Sequence, residues 1–155
     1  MYKRILVPLD GSVTSERGLR EAIGLAGGIG AAIHLLHVVA EFPVLAQMST
    51  AAHYQDTLEG FRKYGAGLLS RALQATATAG LQADSALREL SHGRISEAIV
   101  EEAARAQCDL IVMGTHGRRG FNLLTMGSEA DLVVRTSRVP VLLLRQDEPA
   151  LLSKA

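Results

Sequence analysis

The chain has 155 residues, with sixteen basic side chains offset by sixteen acidic ones. That length suits one domain with a real core, and 48% apolar content excludes a mainly disordered chain. Zero formal charge, 4% aromatics and no tryptophan argue against wholesale binding to nucleic acid or to an anionic membrane.

Strands and helices alternate along the chain. Residues 3–9 form an apolar run that ends at the turn cluster Asp10-Gly11-Ser12, which predicts a buried strand. Leu19, Ala22, Ile23 and Ala26 then recur at helical spacing. Ser12 or Thr14 suits the N-cap of that helix and Gly27-Gly28 its stop. Residues 31–39 predict a second strand, and residues 41–51, with Pro43, a loop. From 52 to 79, Leu58, Phe61, Gly65, Leu68, Leu69, Ala72 and Leu73 trace one face of a long helix. Its glycines weaken it, so packing must hold it. Residues 81–90 mix Asp84, Ser85 and Arg88 into a weak strand suited to a sheet edge. His92-Gly93 opens a helix with Ile95, Ala98, Ile99 and Ala103 on one face. Residues 109–113 are the clearest strand, followed by a glycine-rich loop over 114–126. A helix starts at Gly127-Ser128 and passes through Leu132, Val133 and Arg135, and residues 141–144 make the last strand. The remainder, 145–155, reads as a frayed tail.

This alternation implies parallel pairing with right-handed crossovers, and continuously apolar strands imply a sheet covered on both faces. The expected architecture is a three-layer α/β domain of about five strands. No linker divides it, so one domain spans 1–146 and a short tail spans 147–155. Cys108, the single cysteine, falls at a helix-to-strand junction and reads as a small buried filler. His34 and His37 fall on opposite faces of one strand and read as packed rings; His53 and His92 read as exposed. The opening apolar run is too short for a signal-peptide core, and no stretch reaches the roughly 20 apolar residues of a membrane helix. The expected address is the cytoplasm.

Open parallel sheets bind ligands at the carboxyl ends of their strands. Two such ends carry unusual residues. Pro8-Leu9-Asp10 closes the first strand, and Asp10 suits hydrogen bonds from ribose hydroxyls. Met113-Gly114 closes the fourth, and Gly114, Gly117 and Gly127 let backbone amides approach a phosphate. Ser128 adds a hydroxyl at a helix start whose free amides and dipole favour an anion. Arg118 and Arg119 supply cations, with Arg118 the better placed for phosphate; His116 serves through its backbone. No Gly-x-Gly-x-x-Gly follows the first strand, and no Gly-Lys-Ser/Thr occurs, which argues against a dinucleotide fold and a P-loop hydrolase. No nucleophile-base pairing can be placed.

The order Gly114, two residues, Gly117, nine residues, Gly127-Ser128 resembles the nucleotide motif of the universal stress protein family. The opening Ile-Leu-Val-Pro-Leu-Asp-Gly-Ser, the Leu-His-Val-Val of the second strand and the closing Val-Pro-Val-Leu-Leu-Leu extend the resemblance over most of the chain. It implies a Rossmann-like fold with strand order 3-2-1-4-5 and the ATP-binding branch of the family. It further implies that Pro8, Leu9 and Asp10 line the nucleoside, with Asp10 on the ribose. Backbone groups at Val38 would meet adenine, Met113 and Gly114 would pack near base and ribose, and Gly117, Arg118, Gly127 and Ser128 would hold phosphates. The ligand would be ATP, or ADP or AMP, with magnesium. The chain would act as a homodimer through Val141 to Leu144 and signal to a regulatory partner protein.

Glu129 departs from the family pattern, where a small or aliphatic residue follows Gly-Ser. Its carboxylate either turns away in the first helical turn, helps hold magnesium, or lowers ATP affinity in favour of AMP. Three outputs therefore stand: a nucleotide-binding stress-response regulator, an interaction module of the same fold that binds no nucleotide, and a slow ATP hydrolase.

Overall fold

The computed structural model describes residues 1–41, 43–116 and 126–145. Five strands, β1 (Arg4–Pro8), β2 (Ala32–Ala40), β3 (Ala83–Leu90), β4 (Leu110–Gly114) and β5 (Val141–Leu144), form one sheet in the order β3-β2-β1-β4-β5. Every neighbouring pair is parallel. The helices are α1 (Val13–Ile29), α2 (Pro43–Met48), α3 (Ala51–Thr78), α4 (Ile95–Arg105) and α5 (Ser128–Thr136).

The pleat sorts the strand residues into two cores. Ile5, Val7, Leu9, Ile33, Leu35, Leu110 and Val112 face α1 and α3, where they meet Ala22, Ala26, Leu68, Leu69 and Ala72. Leu6, Leu36, Ile111 and Met113 face α4 and α5, where they meet Ile99, Ala103, Ala130 and Val133. Burial on both sides explains why β1, β2 and β4 read as unbroken apolar runs. β3, with exposed Asp84 and Ser85, is an edge, as its mixed sequence predicts. Cys108 is buried beside the second core, and burial pushes its thiol up to about 11, consistent with an inert filler.

Two local expectations need correction. The first helix does not stop at Gly27-Gly28. It continues to Ile29 and is closed by Gly30 in the left-handed region (φ 72°), whose amide donates to Ala26 O at 2.8 Å. Gly27 and Gly28 are exposed, so the missing side chains cost the helix no packing. At the other end Ser12 is the N-cap, accepting from the Ser15 amide. The stretch expected as a loop over 41–51 contains α2, which begins at Pro43, a residue well suited to a first helical position. Thr50 then caps α3. The expected tail over 147–155 lies outside the described residues. No helix among the described residues is long and apolar enough to cross a membrane.

Candidate functional site

The chain leaves β1 toward β2 on one side and β4 toward β5 on the other, so the strand order reverses between β1 and β4. Their carboxyl ends, Pro8 and Gly114, flank the crevice where open α/β sheets receive ligands.

On the β1 side, Leu9 is buried, and its amide donates to Leu36 O at 2.7 Å. Its carbonyl accepts from His37 Nδ1 at 2.7 Å. Half-buried Asp10 follows; its Oδ1 accepts the Ser12 amide at 2.9 Å, forming a tight turn into α1. β2 runs on past the last β1 partner. Ala32 donates to Lys3 O and Leu36 accepts from Leu9, so even-numbered residues of β2 turn their peptide groups toward β1. By that alternation the Val38 amide and carbonyl face the gap that β1 leaves when it turns at Asp10.

On the β4 side, Met113 is buried and Gly114 ends the strand against α1. A Cβ at Gly114 would stand 2.7 Å from Thr14 Cβ and 3.1 Å from the Thr14 carbonyl carbon, so only glycine fits that approach. Buried Thr14 donates its hydroxyl to His116 O, bracing the start of the following segment. The Gly127 amide donates to Thr115 O at 2.8 Å and pins the segment's other end. A Cβ at Gly127 would lie 3.0 Å from that same oxygen. Gly127 is the N-cap of α5 and offers no side-chain cap, and exposed Ser128 is the first helical residue. An uncapped helix start of this kind leaves amides for an anion. Gly117 and Arg118 lie outside the described residues.

Glu129 takes the first of its three expected courses. Its Oε2 accepts the Ser96 amide at 2.7 Å and its Oε1 accepts Arg94 Nη2 at 3.2 Å. Burial pushes this carboxyl up, but the Ser96 amide and the Arg94 guanidinium outweigh that and hold it below the usual carboxylate range. One acid of α5 therefore caps the start of α4, where Arg94 supplies no side-chain acceptor of its own.

Of the residues singled out from sequence, the structure brings Pro8, Leu9, Asp10, Met113, Gly114, Gly127 and Ser128 to one end of the sheet, with Val38 on the adjoining strand. Three contributors escape sequence reasoning. Thr14 reads only as a cap, and Arg94 and Ser96 carry no signal, because they meet Glu129 across 35 and 33 positions of chain.

These features define a class: an open, doubly wound α/β domain whose crevice holds an acid on one strand end and a glycine-braced helix start on the other. The universal stress protein family model matches residues 1–145, and the chain belongs to that family. A universal stress protein of Thermus aquaticus is 34% identical, covering 94% of this chain and 100% of its own. Universal stress protein YxiE of Bacillus subtilis is 30% identical, with 94% and 100% covered. Among solved structures, a universal stress protein from Burkholderia pseudomallei superposes with a TM-score of 0.76 at 29% identity, covering 94% of this chain and 97% of that one. The protein described as hypothetical protein MJ0577 shares the fold with a TM-score of 0.81 at 24% identity, with 96% and 99% covered.

Proposed function

We propose that this chain binds an adenine nucleotide, ATP with magnesium, between the ends of β1 and β4 and acts as a cytoplasmic stress-response regulator. The observation that carries this reading is the pairing of Asp10 with the uncapped, glycine-braced start of α5 across the crevice. Asp10 supplies acceptors for ribose, the gap beside Val38 offers backbone groups to the base, and α5 offers amides to phosphate. The disposition of Glu129 toward α4 favours the reading, since its charge is engaged away from those amides. Two solved structures of the same fold add support: one universal stress protein is described in complex with cAMP and one from Archaeoglobus fulgidus in complex with dAMP. Gly117 and Arg118 complete the phosphate contacts in this proposal.

The test is a thermal-shift and calorimetric titration with ATP, ADP, AMP and cAMP, each with and without magnesium. Saturation at a hundredfold excess over Kd adds about 2.7 kcal/mol of stability, a rise of roughly 5–10 °C for a domain of this size. Asp10→Ala is expected to lose most of that shift. No shift with any nucleotide sinks the reading in favour of an interaction module that binds none.

The homodimer belongs to the same proposal. Among the described residues β5 is the last strand of the sheet, paired on one side only, and its Leu142 is 38% exposed. Pairing with a second copy would cover it. Leu142→Glu is expected to shift the chain to monomer in sedimentation; a monomeric wild-type chain overturns the dimer. The regulatory partner would distinguish the nucleotide-bound chain from the free one.

A further inference from the structure

Tyr64 sits on α3, a helix from which the nucleotide reading takes nothing, yet it reaches the turn that carries Asp10. A Cβ built at Gly11 would lie 1.9 Å from Tyr64 Oη and 3.1 Å from Cζ, so the hydroxyl fills the space a side chain at 11 would occupy. Gly11 also holds φ at 80°, a conformation that suits glycine. The Tyr64 ring stands edge-on to His37, with centroids 6.1 Å apart and planes at 66°. The next residue, Gly65, admits the His37 ring: a Cβ there would be 2.3 Å from Cδ2. His37 in turn donates from Nδ1 to Leu9 O at 2.7 Å.

These contacts bracket Asp10. Leu9, before it, accepts from His37, and Gly11, after it, lies against the Tyr64 hydroxyl. Both braces meet α3: Tyr64 belongs to it, and the His37 ring of β2 lies against its Gly65. A carboxylate that accepts from a ribose hydroxyl depends on its direction, because such bonds weaken steeply with misalignment. The peptides on either side of Asp10 set that direction.

We propose that Tyr64 is a positioning residue of the nucleotide site, which acts through Gly11 to aim Asp10 and so sets how well the site distinguishes ribose from deoxyribose. This rests on the nucleotide reading above, with Asp10 on the sugar.

The test compares calorimetric affinities for ATP, 2′-deoxy-ATP, 3′-deoxy-ATP and AMP. A hydrogen bond to a charged group predicts that the wild-type chain prefers ATP to at least one deoxy form by about tenfold. Tyr64→Phe keeps the ring against His37 and removes only Oη from a partly exposed side chain. It is expected to cut that preference to about threefold or less while leaving the ATP-to-AMP ratio unchanged. Gly11→Ala, whose methyl displaces Oη, is expected to do the same at a cost in melting temperature; if it does not fold, Tyr64→Phe decides alone. An unchanged ribose preference in Tyr64→Phe overturns the proposal, as does an equal loss for all four ligands, which is what a merely structural residue gives. Wild-type binding with no ribose preference overturns this inference and leaves nucleotide binding standing. No wild-type binding of any of the four removes the nucleotide reading itself, and this inference with it.

Discussion

At a helix start that offers bare amides to an anion, a neighbouring carboxylate lowers affinity unless something holds it elsewhere. Glu129 is held by a backbone amide and a guanidinium, both from the start of α4. Its removal is therefore expected to act on stability first. Glu129→Val leaves the Ser96 amide without its acceptor, a loss of about 1 kcal/mol by analogy with N-caps, which lowers the melting temperature by roughly 2–4 °C. ATP affinity is expected not to improve. A clear gain in affinity would show the carboxylate to be an obstacle and reverse this account. Glu129→Gln separates the two bonds, since its amide oxygen still accepts from Ser96 while the ion pair with Arg94 is lost. It is expected to keep most of the stability, because a pair this exposed contributes little.

At the scale of the element, α1 makes the sharpest contrast. Gly28 lies in helical conformation, and a methyl group added there would meet nothing within 4 Å, so Gly28→Ala trades backbone entropy for no clash. It is expected to raise stability by about 0.5–1 kcal/mol. Gly30→Ala, two residues on, places a side chain at φ 72° and is expected to lower it by about 1 kcal/mol. Thermal melts of the two variants should move in opposite directions; movement the same way would mean that the cap is misassigned. The Gly27-Gly28 pair misleads as a stop because a glycine on a solvent face interrupts no packing, and sequence does not say which glycine adopts positive φ. The same physics marks what is legible elsewhere. β1, β2, β4 and β5 announce themselves through apolar runs, and β3 through charges that only an edge tolerates. The short α2 does not, since six residues give no periodicity to read. At the site, glycine spacing and the strand-end Asp10 are visible in the sequence, whereas the course of Glu129 and the bracing by Thr14 and Tyr64 depend on contacts between distant segments.

At the scale of the whole molecule, the crevice occupies one end of the sheet and a charged cluster ties the other. Arg4 opens β1, His34 and Asp84 lie near the starts of β2 and β3, and Glu102 is in the last turn of α4. His34 has Asp84 Oδ1 at 2.6 Å from one ring nitrogen and Glu102 Oε1 at 2.8 Å from the other. Arg4 donates to Asp84, and Arg105 and Arg88 approach Glu102, whose side chain is 1% exposed. The cluster thus joins four elements, and β2, β3 and α4 meet at the buried Glu102 itself. Burial pushes the Glu102 carboxyl up, but hydrogen bonds from Arg105 and His34 outweigh it and hold the group below its ordinary 4.5. Asp84 is likewise held below its ordinary value, burial again being outweighed by His34 and Arg4. Because both values are lowered on folding, the unfolded chain binds these protons more tightly. Their contribution is complete above the ordinary carboxylate range and is lost as pH falls through the lowered folded values. The melting temperature should therefore hold above about pH 5, as far as these two acids set it, and drop below that. Glu102→Gln is expected to lower neutral-pH stability by about 3 kcal/mol, since one member of a buried charged set is lost. It should also flatten the acid limb, because the group that titrates is gone. A variant that keeps the full wild-type acid limb would show that Glu102 does not carry it and shift the linkage to Asp84 or to the surface carboxylates.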